Sequence, residues 1–153
     1  MTRIRKAGLL AVCALIGSLL LAGQAQAGVS CHKINAKGAG QDLGGGMTTA
    51  RISGGGLLEG TTAGNFAITG ISGTVASIAG TVTFTANQAT LTVTVTGTFD
   101  VASGAFSASG PVTASTGKLA GATGALTLAG VENLADGSFV ETVVGNICVD
   151  LEP

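Results

Sequence analysis

The sequence predicts an all-β fold, an antiparallel meander closed into a small barrel of about eight strands with its ends tied by one disulfide. Three observations point there. Apolar residues alternate with threonine at period two, most regularly in "TVTFTA" (Thr81–Ala86) and "TLTVTVTG" (Thr90–Gly97), and period two is the spacing of a half-buried strand. The chain holds 26 glycines and only two prolines, with no three-residue period, which excludes collagen and, beside such alternation, a flexible linker. No window carries the 3.6-residue stripe of an amphipathic helix.

Residues 1–27 read as a signal peptide. Arg3, Arg5 and Lys6 precede the uncharged run "AGLLAVCALIGSLLLA", and "AQA" at Ala25–Ala27 supplies the small residues of a cleavage site. Residues 28–153 then form a single domain, secreted or periplasmic, with no transmembrane segment once the leader is removed. Three of the seven basic residues lie in the leader, which leaves four against eight acidic ones and a net charge of −4. Lys33, Lys37, Arg51 and Lys118 are scattered, whereas a phosphate backbone needs a basic stripe, so nucleic acid is excluded as a partner.

Cys13 belongs to the leader. Cys31 and Cys148 are left near the two ends of the domain, and an oxidising compartment favours a single bridge between them. The alternative is a lipoprotein in which Cys31 carries lipid, but "GVS" before it lacks the usual leucine-bearing approach.

Taken in order, "CHKINAKGAGQDLGGGM" (Cys31–Met47) is the weakest stretch. It predicts one short strand around Ile34, and Gly44–Gly46 a bend. "TTARIS" (Thr48–Ser53) is a strand. In "LLEGTTAGNFAITGIS" (Leu57–Ser72), Glu59–Thr62 and Asn65–Thr69 read as strand pieces broken by glycine, with Phe66 as a core anchor. Val82, Phe84 and Ala86 share one face of the next strand, "NQ" at Asn87–Gln88 makes a tight turn, and Leu91, Val93 and Val95 return on the same face. Gly97 interrupts, "TFDV" continues, and "ASG" at Ala102–Gly104 turns the chain back into "AFSAS", where Phe106 and Ala108 share a face.

Pro111 cannot donate to a ladder and is expected at a strand start or edge. Glycines 117, 121 and 124 punctuate a turn before Leu126 and Leu128, and Asp136–Gly137 closes a further hairpin. The last strand, "SFVETVVGNICV" (Ser138–Val149), puts Phe139, Glu141, Val143, Gly145, Ile147 and Val149 on one side. The five phenylalanines, the only rings in the chain, should mark the barrel interior. An outer-membrane barrel is excluded by the absence of Trp and Tyr girdles and by threonine at the outward positions.

"TGTFDVASGAFSASGPVTASTGKLAGATGALTLAG" (Thr96–Gly130) resembles the repeated strand–turn pattern of the allene oxide cyclase and dirigent barrel group. "GSFVETVVGNICVDL" is similar to the closing strands of small secreted bacterial proteins related to that group. The resemblance spans Gly70 to Leu151 and carries a turn geometry rather than a catalytic motif. It implies an eight-stranded barrel, a homo-oligomer, and an apolar cavity that steers a reactive ligand. The tyrosines and the arginine common in the plant members have no counterpart in this half of the chain, whose basic residue is Lys118.

Candidate sites are few. Glu141 alternates with core residues, and an inward carboxylate would have a raised pKa and act as an acid; the other placement is a barrel rim. Glu59, beside Leu57 and Leu58, is a second candidate of the same kind. Asp100, Glu132 and Asp136 read as solubilising or turn-forming. His32 is the one histidine, and zinc wants three or four convergent ligands, so no metal or other cofactor is expected. No G-x-S-x-G elbow, phosphate-binding loop or dinucleotide fingerprint occurs.

Three functions remain. The first is a non-enzymatic barrel that binds an apolar small molecule or forms an assembly surface. The second is an allene oxide cyclase-like or dirigent-like protein that steers a reactive ligand. The third is a threonine array around Thr92 that recognises ice or polysaccharide. An open cavity with Glu141 inside favours the second; a barrel packed solid favours a structural role.

Overall fold

The computed structural model describes residues 28–150; the leader assignment falls outside them. Eight strands form one closed antiparallel barrel in sequence order: β1 (Ser30–Gly44), β2 (Met47–Ser53), β3 (Gly60–Ser72), β4 (Val75–Ala86), β5 (Ala89–Asp100), β6 (Ala105–Gly117), β7 (Thr123–Glu132) and β8 (Ser138–Val149). One 3-10 turn, Gly56–Leu58, interrupts the β2–β3 connection. Closure comes from β8 pairing with β1 over Ser30↔Val149 to Gln41↔Ser138. The Cys31–Cys148 disulfide spans that same seam between directly opposite residues, with an S–S distance of 2.02 Å. Cys31 is therefore a bridge cysteine, and the lipid-bearing alternative is set aside.

The period-two reading holds in detail. Val82, Phe84, Leu91, Val93 and Val95 are buried, while Thr81, Thr85, Thr94 and Thr96 are exposed. The cross-strand pairs Phe84↔Leu91 and Val82↔Val93 put the apolar sides of β4 and β5 together inside. The hydroxyls outside pair with one another: Thr83 with Thr92 at 2.9 Å, Thr94 with Thr113 at 3.0 Å, and Thr90 with Thr116 at 2.6 Å. Branched hydroxyl side chains suit the pleat and satisfy each other there. All six inward positions of β8 fall as alternation places them, with Phe139, Glu141, Val143, Ile147 and Val149 buried.

Four expectations need correction. The stretch from Cys31 is no short strand but the whole of β1, which pairs with both β2 and β8. Its inward residues after Ile34 are Ala36, Gly38 and Gly40, too small to show alternation. The two pieces around Phe66 are one continuous β3. Gly97 lies inside β5 and does not break it: a Cβ there would sit 2.0 Å from the Ser107 carbonyl oxygen, so glycine lets β5 and β6 coil tightly together. Pro111 stands inside β6, neither at a strand start nor on an edge. It pairs with Ala125 of β7, while on its other side the β5–β6 pairing skips from Val93↔Val112 to Thr96↔Ser109, and a residue without an N–H fits that gap.

The barrel has two unlike ends. The β2–β3, β4–β5 and β6–β7 connections and the disulfide lie at one end. There Leu58 and Leu119, 0% and 2% exposed, cap a core of Ile34, Ile52, Phe84, Leu91 and Ile147. The β1–β2, β3–β4, β5–β6 and β7–β8 turns ring the other end. Burying a core side chain of this size stabilises by about 1.5–3 kcal/mol, so the sealed half carries most of the fold.

Candidate functional site

The turn-ringed end opens into a cavity of about 700 Å³. Phe66, Phe99, Phe106 and Phe139 line it, with Ile78, Val82, Ala108 and Leu128 toward the packed core. Of the five rings expected inside, Phe84 is in the packed core. Phe66, Phe99 and Phe106 are half-buried because one side of each meets the cavity rather than other side chains. Phe106 and Phe139 pack edge to face with centroids 5.8 Å apart, a favoured arrangement of ring quadrupoles.

Glu141 lies in this wall, 8% exposed and pointing inward. Its cross-strand neighbours are Gly38 on β1 and Gly130 on β7. A Cβ on Gly38 would come within 2.6 Å of the Glu141 Cγ and 2.7 Å of its Oε1. Glycine at that position is what leaves room for the carboxyl group. On the other side, a Cβ on Gly130 would meet the tip of Phe106 at 2.7 Å and the Glu141 Cα at 2.9 Å, so the ring packs over Gly130 beside the Glu141 backbone. Burial pushes the Glu141 pKa up to about 7, and desolvation is its sole cause. No side-chain oxygen among the described residues is both sealed from solvent and without a partner; the Glu141 carboxylate thus faces the cavity, not a closed interior.

Two more acids stand at the mouth. Asp42 from the end of β1 and Glu132 from the end of β7 both line the cavity. The Glu132 carboxyl is held above the usual range by desolvation and by the nearby Asp42 charge. Asp100 and Asp136 do turn work at the same end. Asp100 accepts from the Ala102 N–H at 2.9 Å and from the Ser103 hydroxyl at 2.9 Å. Asp136 accepts from the Ser138 hydroxyl and N–H, at 2.7 and 2.9 Å. Those donors hold both carboxyls below the usual carboxylate range.

The second candidate, Glu59, is exposed just after the 3-10 turn at the sealed end and does not reach the cavity. His32 is half-buried on β1, 3.1 Å from the Ser30 hydroxyl. The alternation in β8 pointed to Glu141. It did not point to Asp42 and Glu132, which the ends of β1 and β7 bring to the mouth of the same cavity. Comparison with known proteins finds no matching family model, no matching curated relative and no matching solved structure for this chain.

Proposed function

We propose that this chain is an exported, non-enzymatic β-barrel that binds an apolar small molecule. The observation that carries the reading is the cavity of about 700 Å³, walled by phenylalanine and aliphatic side chains, a size and lining suited to a small organic ligand. Export is supported by the disulfide and by the character of residues 1–27. Native mass spectrometry of the chain purified from its own host tests this reading and counts subunits. A small molecule retained by the wild type and lost in Ala108→Phe, which fills the cavity, is the expected result. Absence of a retained ligand, together with failure to bind the neutral dye Nile red, would refute it.

A second reading has its own support in the open cavity with Glu141 inside, the arrangement expected of it, and in a raised pKa that keeps acid and carboxylate forms both populated near neutrality. It ranks second because the other ionisable lining residues, Asp42 and Glu132, are acids too and give Glu141 no basic partner among the described residues. In it the barrel steers a reactive ligand, as the resemblance to the allene oxide cyclase and dirigent group implies. An unstable allylic epoxide that cyclises to a racemate in buffer is the probe. Enantiomeric excess in the presence of the protein, lost in Glu141→Gln, supports steering; a racemic product leaves the barrel a carrier.

A further inference from the structure

The charge of the cavity is one-sided. Its ionisable lining residues are Asp42, Glu132 and Glu141, and among the described residues no lysine, arginine or histidine lines it. Lys33 and Lys37 on β1 and Arg51 on β2 are exposed along the outer surface, and Lys118 is exposed in the β6–β7 turn at the sealed end. Glu141 is the unusual member: 8% exposed, aimed into the cavity, and with no hydrogen-bond donor holding its charge. A carboxylate so placed costs folding free energy unless a partner arrives from outside the chain. Four phenyl rings surround the space, and the faces of such rings attract cations.

We propose that the ligand is an apolar organic cation, a protonated amine or quaternary ammonium on a hydrocarbon or aromatic body, with its charged head against Glu141 beside Phe106 and Phe139. This rests on the cavity being a ligand site, the reading given above, and names the class of ligand it selects. A fatty acid or other apolar anion meets three carboxyl groups and is rejected. A neutral ligand fills the hydrocarbon wall but leaves Glu141 desolvated and alone. A cation satisfies both, and Asp42 and Glu132 at the mouth favour its entry over that of an anion.

Binding is then linked to a proton. The cation holds Glu141 in its ionised form, so affinity is full above the pKa of the empty site, about 7, and falls as pH drops below it. The groups facing Glu141 do not blur this linkage. β1 offers Gly38 and β7 offers Gly130 directly opposite, and the neighbouring ionisable groups on those strands, Asp42 and Glu132, are themselves acids.

Titration calorimetry with decylamine, decanol and decanoate, three probes of one chain length, tests the inference on wild type and Glu141→Gln. The expected result at pH 8 is decylamine tighter than decanol by at least about tenfold, with decanoate weakest. In Glu141→Gln the amine should lose that advantage while decanol binds at least as tightly as to the wild type, which also reports an intact fold. Lowering the pH from 8 to 5.5 should weaken the amine alone. Decanol binding as tightly as decylamine, or an amine preference that survives Glu141→Gln, would overturn the cation assignment and leave the apolar cavity reading standing. Failure of all three probes would remove the cavity reading itself, and the cation assignment with it.

Discussion

Glu141 sets a carboxyl group in the cavity wall against the stability of the fold. Its carboxyl group is taken out of water with no donor to replace the water, and Gly38 gives it space without giving it a partner. The sign of the pH dependence follows. The folded state holds the proton up to about 7, against an ordinary value of 4.5. Below 4.5 both states hold the proton and the group carries no penalty; stability is lost as pH rises from there through 7, and above 7 the full penalty is present. At 1.36 kcal/mol per pH unit the penalty is about 3 kcal/mol. Glu141→Gln should thus stabilise the protein by about 3 kcal/mol at pH 8 and by almost nothing at pH 4, measured by urea unfolding at both values. Equal stabilisation at the two values would place the carboxylate in water. The inward direction of this residue was legible in β8 because its neighbours at 139, 143 and 147 are large and apolar. The room around it was not legible, because the glycine that creates it, Gly38, belongs to another strand.

At the scale of elements, the β4–β5 hairpin and β1 show why some strands announce themselves and others do not. β4 and β5 carry large apolar residues inward and threonine outward, so a single strand already displays both faces. β1 carries alanine and glycine inward, and its status depends on β2 and β8 lying on either side; pairing partners are not written in local alternation. The two halves of β5 differ as well. Leu91, Val93 and Val95 belong to the packed core, whereas Phe99 lies on the cavity wall and is half-buried. Truncating Phe84, which is fully buried opposite Leu91, should therefore cost about 3–5 kcal/mol through lost transfer free energy and a new void. Phe99→Ala borders space that is already empty and should cost less than half as much. Chemical denaturation of the two variants checks the contrast; equal losses would mean that the cavity is closed by packing in solution.

For the whole molecule, the packed core and the open cavity occupy opposite ends of one barrel. The disulfide, the 3-10 turn and the Leu58 and Leu119 caps gather at the sealed end, while the cavity and its acids are at the other. The bridge joins residues 117 apart in sequence, so cutting it frees nearly the whole denatured domain. If it acts through denatured-state entropy, that is worth about 4–5 kcal/mol. The native barrel needs the bridge far less, because the β1–β8 ladder continues well past Cys31↔Cys148, through Ile34↔Gly145 and Gly38↔Glu141 to Gln41↔Ser138. The double variant Cys31→Ser, Cys148→Ser should accordingly keep its strand circular dichroism and its affinity for a cavity ligand. It should unfold at lower urea concentration, with a steeper denaturant dependence because the freed chain exposes more surface. A variant that loses ligand affinity before it loses stability would show that the seam transmits its geometry to the mouth, and that the two ends are not independent.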